Sequence, residues 1–556
     1  LRYLIMLTLI IKKKDTILLL ALSILIFHLI FGFHLINFQN IYWLPDDAYN
    51  GFLGWSFYRG ETFFSFPLFK IFNYGSGVGS TIIYTDSLPI MAIIFKPFSN
   101  LLPVNFQYFG LWIFVSSLLT SFFMNKILTY YRIDLFSKVM LTTIILLSPI
   151  VLERFIAGHI NLMSHWIILA GIYLYIRKEQ NFTTWLVLIL ISILIHGYLF
   201  AMTIAIAIFT YIKEYLINGD INKCFKYVII TILFSSISLY IFGYFEVQAD
   251  EVFHGGWGGY RLNLLSFINP IGRSLNWSQL TGDLFTYKAL QLGDLIEGFN
   301  YFGLGILITI IGSIYFGIKT KFYFIDKKVK VLLVFSLILL VFALTNKIGL
   351  GGSELFTYNM PEILKPLTKP FRASARFFWP IYYLVSIGSI IVIYSQLKAK
   401  NAIVFIFIIC CIQIVDIYPG IKTIMAFNSK ENIQNINRMD TSQVGLSLRT
   451  KDYNNIVYVF PEYANQNWRE LAYFAYKNNK KTNFGYFARR NLRIQKKFIK
   501  NIKASFESGN LDKDSIYYFS DIQIFNEYYE KVSSISEKLV VNDTNGIKHM
   551  IILPKK

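Results

Sequence analysis

The sequence predicts a polytopic α-helical membrane protein with about eleven transmembrane helices and a small C-terminal α/β domain. Three observations carry this expectation. First, 55% of the 556 residues are hydrophobic and 15% are charged, whereas a soluble chain carries roughly 25% charged residues. Second, apolar runs of bilayer length recur from residue 16 to residue 420. Third, the residues from 425 onward change character, with short β-type runs, one amphipathic helical pattern and a turn signal.

Taken in order, the apolar runs are 16–36, 105–125, 138–153, 160–177, 183–197, 198–213, 225–244, 301–317, 330–345, 376–396 and 402–420. A crossing needs about 20 apolar residues. The first run follows Lys12, Lys13 and Lys14 and lacks a small-residue cleavage site, so it reads as an uncleaved span rather than a signal peptide. Short cytoplasmic loops collect Lys and Arg. With the N-terminus inside, such loops hold Lys126, Arg132 and Lys138; Arg177 and Lys178; Lys213, Lys223 and Lys226; Lys319, Lys321, Lys327, Lys328 and Lys330; and Lys398 and Lys400. The alternation places 37–104, 245–300, 346–375 and the tail on the outer side. The expected domains are a transmembrane domain over 1–424, with outer loops 37–104 and 245–300, and a soluble domain over 425–556.

The net charge of +20 fits the basic inner loops, and no nucleic-acid partner is expected. Cys224, Cys410 and Cys411 lie in or beside apolar runs and show no zinc spacing. In the tail, "NNIVYVFPEY" and "DSIYYFS" read as strands and "QNWRELAYFAYKNNK" as a helix. "KLVVNDTNGIKHMIILP" reads as a hairpin turning at Asn545-Gly546.

Several stretches could carry chemistry. In "WLPDDAYNGFLGWSFYRG", Asp46 after Pro45 is suited to cap a helix. Ala48, Phe52 and Trp55 would then share one face, as in an interfacial amphipathic helix. Either Asp46 or Asp47 could serve as a general base at the membrane surface, or Asp46 could simply cap the helix while Asp47 is solvated near its positive end. Asp86, in "YTDSLPIMAIIFKP", is a further carboxylate of the same loop. With Asp47 it could share a divalent cation such as Mg or Mn, or divide base and positioning roles. In "ERFIAGHINLMSHW", Glu153, Arg154 and His159 lie at an outer junction, where charges either pair or face a cavity. "FHGGWGGYRLNLLSFINPIGRSLNW" combines aromatics, which suit a sugar face, with Arg261 and Arg273, which suit a phosphate. In "KPFRASARFFWP", Arg372 and Arg376 are spaced i, i+4 beside a helix start, a combination suited to phosphate or to headgroup anchoring.

Together, "DDAYNGFLGWSFYRG", "YTDSLPIMAIIFKP", "QYFGLW", "AGHINLMSHWIILAGIYLY", "GGWGGYRLNLLSFINP", "EGFNYFGLG", "FRASARFFWP" and "TNFGYFARRN" resemble an uncharacterised bacterial polytopic membrane-protein family of the GT-C glycosyltransferase superfamily. The resemblance covers most of the chain. It implies a GT-C-like enzyme of the bacterial cytoplasmic membrane, N-terminus cytoplasmic and tail extracytoplasmic. Such an enzyme takes a sugar from a polyprenyl-phosphate-linked donor and passes it to a glycan, lipid or protein acceptor. In this reading Asp46-Asp47 resembles the first acidic motif of protein-mannosyltransferase-like members, with Asp47 where those have Glu. Asp86-Ser-Leu-Pro89 resembles their second motif. The implied catalytic residues are Asp47, Asp46 and Asp86. Arg372, Arg376, Arg261 and His159 are the candidate phosphate and substrate ligands. The alternative is a non-catalytic transporter or assembly partner for lipid-linked saccharides.

Overall fold

The computed structural model describes residues 2–77, 79–246, 257–273, 275–282, 284–320, 326–427, 451–460, 468–489, 492–542 and 548–556. The chain is mostly helical. Among the described residues, six helices are long and apolar enough to cross a membrane: Phe109–Tyr130, Leu135–Ile156, Gly197–Asn218, Ile221–Phe242, Ser374–Gln396 and Ala399–Asp416. The described residues are therefore consistent with a mostly helical membrane protein, with fewer full-length apolar helices than the eleven expected.

The shortfall has local causes. The expected 160–177 run begins as a 3-10 turn, Ile160–Met163, and becomes α-helical only at Trp166–Ile176. His196 is extended and separates Phe182–Ile195 from Gly197–Asn218. Its Nδ1 accepts a hydrogen bond from the Tyr198 amide at 3.0 Å, so the break also caps the second helix. Leu304–Lys319 has 16 residues, about 24 Å of helix against an apolar core of about 30 Å. Two further helices occupy expected spans but open on charge: Arg2–Ile30 and Lys327–Leu344. Short polar side chains start the helices at Leu135, Phe182 and Lys327. Asp134 accepts from the Ser137 amide, Asn181 from Thr184 and Asp326 from Lys328, as N-caps do.

The chain divides into two compact units. The first comprises 1–37, 108–238 and 254–428. In it, Arg2–Ile30 packs on Phe109–Tyr130, Trp166–Ile176 on Phe109–Tyr130 and Gly197–Asn218, and Leu304–Lys319 on Trp379–Gln396 and Ala399–Asp416. Lys138, read from sequence as an inner-loop cation, is buried. It donates to Asp15 Oδ2 at 2.7 Å and to Thr129 Oγ1 at 2.8 Å.

The second unit joins 38–107 and 239–253 to the tail from 429. The tail holds a five-stranded sheet in the order 481–482, 455–458, 515–519, 548–554, 536–542. Its first three strands are parallel and the last two pair antiparallel. The helices Trp468–Lys477, Leu492–Glu507 and Ile522–Val532 accompany it. Val459, Phe506, Phe519, Phe525, Val532 and Ile552 form its apolar core. The two expected strands, the helix and the paired hairpin strands are all present. The Asn545-Gly546 turn itself lies outside the described residues.

One backbone approach in the first unit gives a direct stability test. Gly110 opens the Phe109–Tyr130 helix, and a Cβ there would stand 1.8 Å from the Leu35 carbonyl oxygen. Backbone cannot yield as a side-chain tip can, so Gly110→Ala is expected to lower the melting temperature of the detergent-purified protein by several degrees. Gly388, inside Trp379–Gln396, has nothing within 4 Å of the same position. Gly388→Ala is expected to be neutral or stabilising by up to ~1 kcal/mol. A melting scan of both variants checks the contrast.

Candidate functional sites

The acidic stretch of the first loop forms a helix, Asp46–Tyr58. Pro45 occupies the capping position in an extended conformation and no side chain caps the helix end. Asp46 is therefore the first helical residue rather than the N-cap, and both aspartates fall in the first turn, where the helix dipole favours acidic residues. Asp47 is half-buried, and the side chain of Asp46 lies outside the described atoms. The rest of the helix, Ala48 to Tyr58, is buried. This corrects the expectation of an interfacial helix: its apolar face is covered by protein. Tyr473 of the tail helix lies 6.4 Å, ring to ring, from both Tyr49 and Phe52, and Tyr476 lies 5.8 Å from Phe57.

Gly54 decides how the two acidic motifs meet. A Cβ at Gly54 would stand 2.1 Å from Thr85 Oγ1 and 2.4 Å from Ser87 Oγ. Only glycine lets the helix press against the segment that carries Asp86. Asp47 precedes Gly54 by seven residues, about two turns and ~10 Å along the same face. Asp86 itself is left-handed (φ 57°), as is Leu88 (φ 51°), just before Pro89. For residues other than glycine such backbone costs on the order of 1–3 kcal/mol, and it persists where surrounding packing imposes it.

The tail completes this surface. The Thr482 amide donates to Asn73 O at 2.9 Å, Ser76 N to Thr482 O at 2.8 Å and Ala488 N to Tyr84 O at 2.7 Å. The "TNFGYFARRN" stretch is thus bonded along the first loop. Tyr473 Oη donates to Asn105 Oδ1 at 2.7 Å. Burial, then Tyr473 and Glu470, push the Tyr49 hydroxyl well above its ordinary range, so it stays protonated. It finds no hydrogen-bond partner among the described residues.

The other candidate residues belong to the first unit, where Arg376, Arg154 and His159 gather around a carboxylate that the residue pattern did not single out. Glu297 Oε2 accepts from Arg376 Nε at 2.8 Å and Arg154 Nη1 at 2.7 Å, and Oε1 accepts from Arg376 Nη2 at 2.8 Å. His159 Nδ1 lies 3.8 Å from Oε1. Burial alone would raise the Glu297 carboxyl. Arg376, Arg154 and His159 outweigh it and hold the group well below the usual range. Glu153 and Arg154 do not pair as neighbours. Glu153 accepts from the Arg273 amide at 2.8 Å and Trp277 Nε1 at 2.7 Å. The signal for Glu297 was available: a lone acid in "LIEGFNYFGLG" needs a counter-cation if it is buried.

Arg372 and Arg376 do not share one α-helical face. Ser374–Phe378 is a 3-10 turn, and the α-helix starts at Trp379 with Pro380 in its first turn, where no amide donor is required. Arg372 lies 5.9 Å from the Tyr260 ring centroid. Arg261 is buried, donating to Lys347 O at 2.7 Å and Glu354 Oε2 at 3.0 Å, with Asp294 Oδ1 3.4 Å from its Nε. Next to Tyr260, a cavity of about 290 Å³ is lined by Trp257, Tyr260, Gln291, Leu292, Ile296 and Lys347 with Gly258, Gly259 and Gly293. Aromatic faces, an amide and a cation suit a sugar with an anionic substituent. The start of the "FHGGWGGYR" stretch, through Gly256, lies outside the described residues. Among the described residues, no three His, Cys, Asp or Glu side chains gather as a metal site.

Removing the Glu297 charge leaves two buried guanidiniums uncompensated. Glu297→Gln is expected to cost about 3–5 kcal/mol and to lower the melting temperature at pH 7. Because the folded carboxyl lies below its ordinary value of 4.5, its stabilisation is complete above that pH and is lost as pH falls towards the folded value. Melting scans from pH 7 to pH 3 should show wild type converging on the variant below pH 4.5. Parallel curves would contradict this.

A family model described as a domain of unknown function, DUF6311, matches residues 20–418. The model of the DUF6311 C-terminal domain matches residues 447–533. No curated protein matches the chain. With the membrane helices and the first-loop helix inside one match and three of the five tail strands inside the other, the chain belongs to the DUF6311 family.

Proposed function

We propose that the protein is a GT-C-like membrane glycosyltransferase, moving a sugar from a polyprenyl-phosphate-linked donor to an extracytoplasmic glycan, lipid or protein acceptor. The observation that carries this reading is the close packing of the two acidic motifs at Gly54 against Thr85 and Ser87, which puts carboxylates of both motifs on one buried, tail-bonded framework. Asp47 or Asp46 takes the proton of the acceptor hydroxyl. The acceptor oxygen attacks the anomeric carbon, and the bond from that carbon to the phosphate oxygen breaks, its electron pair leaving with the lipid phosphate. A phosphate is a good leaving group, so an ordinary carboxylate suffices as base. Asp86 positions the acceptor.

The donor phosphate falls to Arg372, backed by His159 and by Arg376 and Arg261, whose charges are shared with Glu297, Asp294 and Glu354. The cavity beside Tyr260 suits the sugar. Asp47 and Asp86 are the groups that would hold a divalent cation if the donor brings one, and no step here runs through it. In this reading the protein lies in the bacterial cytoplasmic membrane with its N-terminus inside and its tail outside. The ion pairs already made by Arg376 and Arg261 favour one second reading, a non-catalytic transporter or assembly partner for lipid-linked saccharides, in which those arginines are structural.

Proteoliposomes supplied with a polyprenyl-phosphate sugar separate the two readings. Transfer to an acceptor is expected for wild type. Asp47→Asn or Asp46→Asn should reduce it by about 10²-fold or more, with the melting temperature unchanged. Full activity in both single variants removes the assigned base, and sugar-lipid translocation without transfer supports the transporter.

A further inference from the structure

The second unit carries an exposed apolar edge built from two segments of the first loop. Phe63, Phe64 and Phe66 are exposed in one, Phe64 at 89%. Phe98, Leu101 and Val104 are exposed in the other, Leu101 at 84%. Neither 62–66 nor 93–104 contains an acidic residue, and Lys96 is their single cation. Lys96 Nζ donates to Thr62 O at 3.2 Å, tying the two segments together. Soluble surfaces rarely gather such side chains in one place.

In the second of these segments the backbone carbonyls are satisfied from within. Arg59 donates to Ser99 O at 2.6 Å, Leu102 O at 2.8 Å and Pro103 O at 2.7 Å, with Val104 O at 3.4 Å. One guanidinium thus serves the carbonyls that would otherwise need water. That is the requirement for irregular backbone near a hydrocarbon phase. The edge is also continuous with the last turn of an apolar helix. Phe66 meets the Tyr240 ring at 5.4 Å, and Leu68 N donates to Ile241 O at 2.9 Å. Tyr240 and Ile241 close Ile221–Phe242, one of the six helices fit to cross a membrane.

We infer that this edge is seated in the interfacial layer of the lipid bilayer, anchoring the first loop and its bonded tail at the membrane surface. Its occupant is lipid, because the edge runs directly into a helix whose own surface is apolar. The anchor uses none of the residues assigned to sugar transfer and does not depend on it.

The test uses the full chain, with Cys224, Cys410 and Cys411 replaced by serine, in phosphatidylglycerol–phosphatidylethanolamine vesicles. Spin labels are placed by Phe64→Cys and, separately, Leu101→Cys. Lys497→Cys, on an exposed lysine of Leu492–Glu507, is the aqueous control. Both substituted side chains are mostly exposed, so folding should survive, and Phe98→Cys and Val104→Cys provide a second pair. Collision with dissolved oxygen is expected to exceed collision with a water-soluble nickel chelate several-fold at the edge, and the ratio should invert at 497. An edge that matches the 497 control overturns the inference. So does low collision with both reagents, which marks cover by protein.

Discussion

The buried Glu297 carboxylate is the constraint around which the first unit is arranged. A charge removed from water must be paired and hydrogen-bonded. Glu297 meets that demand by drawing Arg154 from the end of one apolar helix and Arg376 from the turn that opens another. Arg154 Nη2 also donates to Ile296 O at 3.0 Å, locking the segment that carries Glu297. A second buried acid repeats the device. Asp416, at the end of Ala399–Asp416, accepts from Tyr301 Oη at 2.7 Å, from Leu304 N at 2.8 Å and from Ser278 Oγ. Each carboxylate holds an irregular connection against helix ends. Such connections have no regular ladder of their own to satisfy them.

The second unit relies on backbone proximity instead. Gly54 admits Thr85 and Ser87, and the Thr482 and Ala488 amides bond to first-loop carbonyls. The first loop and the tail, far apart in sequence, therefore make one compact body. The acidic helix gains a rigid setting from this, covered by Tyr473 and Tyr476 and backed by Tyr74, which stacks on Phe57 at 4.8 Å.

Much of this was legible from residue types. Apolar run length located the membrane helices, because a crossing needs a minimum length of apolar side chains. Alternation and the β-branched runs located the tail strands 455–458 and 515–519. Where the reading went astray, a short-range pattern was overruled by a long-range contact. The amphipathic spacing of Ala48, Phe52 and Trp55 was real, but the tail helix covers that face rather than lipid. The i, i+4 spacing of Arg372 and Arg376 assumed an α-helix where the chain makes a 3-10 turn. Glu297 drew no notice because its partners lie 143 and 79 residues away.

By itself the sequence determined the membrane-protein class, the positions of the apolar helices, the α/β tail and the acidic and arginine-bearing stretches. These follow from composition and from periods of a few residues. Only the tertiary structure decided which charges neutralise one another, that the first loop and the tail fold together, and that the exposed apolar edge is Phe63–Phe66 with Phe98–Val104 rather than the acidic helix. Those outcomes depend on pairing across long separations, where burial energy and charge compensation choose among many locally acceptable partners.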